Sequence, residues 1–305
     1  MLSSVIGSLG DRVDSKFLTA YWLPAFIFVF GGVCALGAAV GPDRLQTWVS
    51  DLDSVEQTLG ALVIVLLISM VAFILRALTR PITEVFAGIA LPRFIAASFT
   101  RGQARAKHRA TLLVRNADDQ NGISANAQAA AWLQSRFPAD DDLRPTLFGN
   151  MMASVSEHPL AAYSMVGPLW WPRLSPLLPG SFQDMLAGAQ APMMGLLNLS
   201  VVFAALAPVG VLAGGLTAQW VLALLWGVGA LVLSRWAYRA AVSQAAEVAS
   251  MLRVAFDLFR FEILAQLDKP RPDDVASERL LWASLTREVL GQDAPPSGEP
   301  PAAAV

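Results

Sequence analysis

The sequence is short of charge, histidine and cysteine, and each shortage removes a class of chemistry. Asp, Glu, Lys and Arg make up 15% of the 305 residues, against about 25% in soluble domains. Part of the chain is therefore expected to have lipid as its solvent. The single cysteine, Cys34, excludes an intrachain disulfide and a cysteine-rich metal site. It lies inside an apolar run and reads as a small buried residue. Of the two histidines, His108 reads as one more solvated group in a basic run. His158, between Glu157 and Pro159, reads as a turn or cap residue. No His/Glu spacing of the zinc type, no serine with a nominated histidine and no glycine-rich phosphate loop is present. The reading therefore assigns no catalytic residue, no metal ligand and no cofactor. The run Asp140, Asp141 and Asp142 is a possible divalent-cation site, but it precedes "LRPT" and reads more simply as a solvated loop.

What the chain has is length of apolar sequence. Four runs suffice to cross about 30 Å of hydrocarbon at roughly 1.5 Å per residue: 18–40, 59–78, 192–214 and 218–238. Mean hydropathy over the whole chain is +0.50. The fold class expected is an all-α integral membrane protein with four transmembrane helices and a cytosolic helical subdomain. No basic region opens the chain and "FGGV" precedes Cys34, so the first run is expected to stay in the mature protein rather than be cleaved as a signal peptide.

Charge sets the expected orientation. The linker between the first two runs carries Arg44 against Asp43, Asp51, Asp53 and Glu56. Residues 93–115 hold Arg93, Arg101, Arg105, Lys107, Arg109 and Arg115 and no acidic residue, and Arg235 and Arg239 end the fourth run. The positive-inside rule then puts both termini and residues 79–190 in the cytoplasm. Of the 22 basic residues only Lys16, Lys107 and Lys269 are lysine. With the abundance of Ala, Gly and Pro, that bias suggests a GC-rich bacterial genome, hence a bacterial inner membrane.

The organisation expected is an amphipathic helix over 1–17, lying on the membrane or covering the cytosolic region, and a first hairpin over 18–78. A cytosolic helical region over 79–190 follows, then a second hairpin over 191–238 turned at "GLT" (215–217). Cytosolic helices over 239–290 and a disordered Pro/Ala-rich tail over 291–305 complete it. Within this frame Pro81 and Pro92 are expected to interrupt the helix that continues the second run. Helices are read over 126–137, 181–190 (Ser181 as N-cap), 244–267 and 274–290. The stretch 157–180 carries Trp170, Trp171 and Arg173 among five prolines. It reads either as a compact loop with its rings toward the lipid boundary or neighbouring helices, or as part of an aromatic core.

The segments "DRVDSKFLTAYWLP" (11–24), "RPTLFGN" (144–150), "WPRL" (171–174) and "VAFDLFRFEIL" (254–264) resemble a group of uncharacterised actinobacterial multi-pass membrane proteins. The resemblance implies the same four-span layout and carries no activity and no functional residue.

Candidate interaction residues follow from position. Arg93, Arg101, Arg105, Lys107 and Arg109, with Trp170, Trp171 and Arg173, are candidates for contact with anionic headgroups, at about 1 kcal/mol per basic residue near the surface. No aromatic residue lies between Arg101 and Arg115 to stack bases, so nucleic acid is not expected as a partner. Gly37/Gly41 and Gly210/Gly214 have spacing that lets helices approach closely, and Asn198 offers an interhelical hydrogen bond. Phe256 and Phe259 mark a helix apolar on more than one face. Among the spans no acidic residue sits at mid-membrane, which argues against proton- or ion-coupled transport. The function expected is a non-catalytic, self-associating membrane scaffold or effector that meets an unidentified cytosolic protein. An oligomeric pore is the first alternative. A membrane enzyme acting on lipid is the second, with His158 and the Asp140–142 run as its weak nominees.

Overall fold

The computed structural model describes residues 15–41, 46–47, 50–118, 130–138 and 143–291. The described residues are all helical or irregular, with no strand among them. Most of the 1–17 helix, part of the 126–137 helix, the Asp140–142 run and nearly all of the 291–305 tail lie outside them.

Among the described residues four helices are long and apolar enough to cross a membrane: α1 (Ser15–Val40), α2 (Ser54–Ala77), α7 (Gly180–Leu216) and α8 (Trp220–Gln266). Between α2 and α7 lie α3 (Thr79–Phe86), α4 (Arg93–Asp118), α5 (Leu147–Tyr163) and α6 (Gly167–Leu174), and α9 (Val275–Val289) follows α8. Asp53 starts α2 through a capping box with Glu56, each side chain meeting the other residue's backbone N–H. That helix ends at Ala77, and the break reflects Pro81. A proline lacks an N–H and its ring clashes with the carbonyl four residues back, which here is that of Ala77 itself. Pro92 likewise precedes the start of α4.

Three boundaries differ from the sequence reading. The 181–190 helix has no separate existence, because α7 runs from Gly180 through Pro192 and Pro208 to Leu216. The fourth run and the 244–267 helix are one continuous helix of 47 residues. His158 is no cap: α5 passes through Pro159 and ends one turn later, where Ser164 adopts φ 61°. The Met165 N–H then closes the helix end by donating to the Pro159 carbonyl at 3.0 Å.

The chain folds as two compact units. The first comprises Met1–Gln103, Arg144–Gly149 and Asp184–Val248, and the second Ala104–Leu143, Asn150–Gln183 and Ala249–Val305. In the first unit α7 is the most enclosed helix, with 44% of its apolar window buried against 17% for α2. On α2 only Ile68, Ala72 and Leu75 are buried, and every residue of 54–67 is exposed. Cys34 is also exposed, so the expectation that it is buried fails. Neighbouring Ala35 and Gly37 take the packed face of α1 instead. The 144–149 segment docks on α3: the Thr146 hydroxyl donates to the Phe86 carbonyl, and the Phe86 ring stacks on Tyr238 with centroids 5.5 Å apart.

The second unit is organised by aromatic packing. Trp170, Trp282, Leu174, Met165, Phe256 and Leu264 are all at most 3% exposed. Trp170 meets Trp282 edge to face with centroids 5.2 Å apart, and its indole N–H donates to the Thr286 hydroxyl at 3.0 Å. Burying rings of this size stabilises by about 1.5–3 kcal/mol each. α9 is placed by Asp274, whose side chain accepts the Ser277 N–H at 2.7 Å.

Candidate functional site

Two places gather polar side chains around defined geometry, one in each unit. The first lies where α1, α2 and α7 meet. Leu18–Trp22 forms a π-helical turn within α1, just before Pro24. Pro24 has no N–H to give the carbonyl four residues back, that of Ala20. Asn198 of α7 supplies the donor: its Nδ2 reaches the Ala20 oxygen at 2.7 Å. Asn198 is fully buried and its Oδ1 has no hydrogen-bond partner.

Beside this contact is an open cavity of about 560 Å³ lined by Lys16, Phe17, Ala20, Tyr21, Phe73, Arg76, Ala187, Gln190, Ala191 and Met194. The Lys16 ammonium is 3.1 Å from Asp184 Oδ1. The Tyr21 hydroxyl accepts from Thr79 Oγ1 at 3.2 Å. The Arg76 guanidinium sits 5.9 Å from the Phe17 ring centroid, and no carboxylate pairs with it among the described residues. Phe17 in turn lies 5.9 Å from Phe73. A second cavity, bounded by Ala35 and Ala39 on one side and Gly214 and Trp226 on the other, measures about 50 Å³. It holds little more than a water molecule.

The second place joins α5, α8 and α9. His158 Nε2 is 2.7 Å from Asp257 Oδ1, and the Tyr163 hydroxyl donates to the same oxygen at 2.8 Å. Arg260 lies with its guanidinium carbon 4.0 Å from the Tyr163 ring centroid and 4.2 Å from that of Phe261. Its Nε donates to Glu278 Oε1 at 2.6 Å, and the same oxygen accepts the Trp282 indole N–H at 3.3 Å. The Glu278 and Arg260 side chains are 7% and 13% exposed, so this is a buried ion pair. Tyr163 has its phenol pushed up to about 12, first by desolvation and then by its hydrogen bond to Asp257. Each carboxylate here accepts from groups on other helices, which makes the cluster a clamp. No nucleophilic side chain hydrogen-bonds His158 among the described residues, so the His158–Asp257 pair lacks the third group of a triad.

The residues nominated from sequence separate into three groups. Arg93, Arg101, Arg105 and Arg109 are exposed along α4 and Lys107 is half-buried; none of them lines either site. Trp170 is 0% exposed, so the lipid-boundary placement is corrected for that ring, which belongs to the aromatic core. Trp171 packs on Phe256 at 5.9 Å and Arg173 caps the Leu169 carbonyl at 2.8 Å. Phe256 and Phe259 face inward, the latter edge to face with Phe182 at 5.3 Å. Phe256 is buried and Phe259 half-buried within the chain.

The two glycine pairs also part company. A Cβ on Gly210 would fall 1.8 Å from Trp226 Cδ1, and one on Gly214 would fall 2.7 Å from the Ala223 Cβ. This pair lets α7 and α8 approach within one chain. Gly37 is buried in α1, but Gly41 ends that helix at φ 98° with nothing near its Cβ position, so it is a stop signal and not a packing residue.

Sequence reasoning missed Lys16, Tyr21, Arg76 and Gln190 as a group, and Asp257 with Glu278. A signal for the first existed in Pro24, which orphans a carbonyl that a buried amide can serve. No family model, no curated protein and no solved structure matches the chain.

Proposed function

We propose that the chain is a non-catalytic membrane scaffold or effector of a bacterial inner membrane that self-associates through α2, with both termini and the second unit in the cytoplasm. The observation that carries self-association is the state of α2: every residue of 54–67 is exposed. A second copy would supply neighbours to this half-helix, and lipid supplies weaker packing than a matched helix face. The scaffold role is supported by the aromatic core of the second unit, which gives the chain a packed helical body in addition to its apolar helices. The row Arg101, Arg105 and Arg109, exposed at four-residue spacing and without carboxylate partners among the described residues, supports attraction to anionic headgroups.

The test is mass in nanodiscs together with oxidative cross-linking of Leu62→Cys in a Cys34→Ala background. A dimer or larger species that cross-links at position 62 supports the reading. A monomer at every protein-to-lipid ratio refutes it. Conductance from the assembled species in a planar bilayer would replace it with the pore.

A further inference from the structure

The cavity between α1, α2 and α7 has the chemistry of a lipid headgroup site. It sits where the apolar length of α2 ends, one residue before Ala77, so its polar groups lie at the depth where headgroups begin. Its volume of about 560 Å³ falls within the range of roughly 300–1,000 Å³ typical of ligand sites. That is enough for a glycerophosphate and the first methylenes of its chains. One wall is apolar, built from Phe17, Phe73, Ala20 and Met194, and the remainder offers Lys16, Arg76, Tyr21 and Gln190.

The polar groups are not equivalent. Lys16 already has the Asp184 carboxylate at 3.1 Å, so part of its charge is countered. Among the described residues the Arg76 guanidinium has only the Phe17 ring face, 5.9 Å away. A planar guanidinium free of carboxylates matches two oxygens of a phosphate at once. The one Thr79 hydroxyl proton has the Arg76 carbonyl at 2.7 Å as well as the Tyr21 oxygen at 3.2 Å, so the Tyr21 O–H can turn from Thr79 Oγ1 to an acceptor in the cavity. Gln190 adds an amide with two donors.

We propose that this cavity binds the phosphodiester of an anionic glycerophospholipid, with Arg76 as the principal cation, Tyr21 and Gln190 as hydrogen-bond donors, and Phe73 against the upper acyl chain. The apolar wall commits the site to a lipid over a free phosphate. Among the described residues the one carboxylate beside it, that of Asp184, is engaged with Lys16, so a headgroup carrying its own cation finds no partner there. The site exists in a single copy of the chain and does not depend on self-association.

The test is native mass spectrometry of the detergent-solubilised full chain titrated with phosphatidylglycerol or phosphatidylcholine. The expected result is preferential retention of phosphatidylglycerol. Arg76→Gln should weaken it about fivefold, as the loss of one cation near the surface implies, while Arg239→Gln, outside the cavity, leaves it unchanged. Equal retention of the two lipids, or an Arg76→Gln variant indistinguishable from the parent, overturns the proposal. So does displacement of the lipid by millimolar glycerol 3-phosphate, which would make the site one for a soluble anion. Should Arg76→Gln fail to fold, Phe73→p-benzoylphenylalanine keeps every charge in place. In an equimolar lipid mixture it should photocross-link several-fold more phosphatidylglycerol than phosphatidylcholine, and equal yields refute the site.

Discussion

Glu278→Ala should be the most damaging single change in the second unit. The carboxylate is 5% exposed as a residue and receives the Arg260 Nε at 2.6 Å and the Trp282 indole N–H at 3.3 Å. Truncation leaves a guanidinium, 13% exposed, between two aromatic rings with no ion-pair partner in direct contact among the described residues, and strands a buried indole donor. Removing one partner of a buried pair costs about 3–5 kcal/mol. The orphaned indole is worth a further 1–3 kcal/mol or so taken alone. The two losses share one cavity and one relaxation, so we expect about 4 kcal/mol in total, a large part of the roughly 5–15 kcal/mol that holds a typical domain. Glu278→Gln, which keeps an acceptor oxygen, should lose about half as much. Arg260→Met with Glu278→Leu, which removes both charges, should recover most of the loss. The measurement is amide hydrogen exchange across α9 and the 255–264 part of α8 in nanodiscs, where local opening reads the unit's own stability. A Glu278→Ala loss below about 1 kcal/mol, or a double variant no better than the single, would refute a buried charge pair as the element holding α9 to α8.

Thr286→Val removes the hydroxyl that accepts the Trp170 N–H at 3.0 Å while keeping the side chain's shape. It should destabilise the second unit by about 1–3 kcal/mol, and a double-mutant cycle with Trp170→Phe should show a coupling of about 1 kcal/mol, where strict additivity would contradict the bond. Gly210→Ala places a methyl 1.8 Å from Trp226 Cδ1 and should cost about 1–3 kcal/mol through overpacking of the hairpin; Gly229→Ala, with nothing within 4 Å, is the control, and equal melting of the two would refute the close approach. Tyr163 carries a phenol raised from 10.0 to about 12. Between those values the folded chain keeps a proton that the unfolded chain has lost, so this contribution to stability is whole below pH 10.0 and disappears as pH rises through about 12. Phenolate absorbance of the parent minus Tyr163→Phe should show that late titration, and a difference curve centred near 10.0 would count against it.

The four apolar runs were legible because hydropathy summed over a span needs no knowledge of neighbours. Helix continuity was not. Residues 181–190 read as a helix of their own and the third run as starting at 192, yet α7 passes through Pro192 without a break, because the helix is packed along its length at Leu186, Ala189 and Ala191. The Trp170 environment was left between lipid and core, since its partners Trp282 and Thr286 lie more than a hundred positions away, with a separation of 116 for the hydrogen bond. His158 and Asp257, separated by 99, were invisible as a pair for the same reason, and local context favoured a cap beside Pro159. Asn198 was legible as a bonding residue in a span, and Pro24 could have named its acceptor. The glycine pairs show the limit of spacing: identical four-residue intervals mark a tight helix contact at Gly210 and Gly214 and a helix terminus at Gly41.

The exposure of Cys34 has a practical outcome for whoever handles this molecule. The chain has no other thiol, and this one is exposed on a helix apolar enough to cross a membrane. In a bilayer it therefore faces hydrocarbon, where the reactive thiolate does not form. A maleimide dye should leave the embedded chain unmarked and decorate each copy once after denaturation in detergent. The difference in label taken up before and after denaturation then reads the burial of α1 in lipid directly from the unaltered chain.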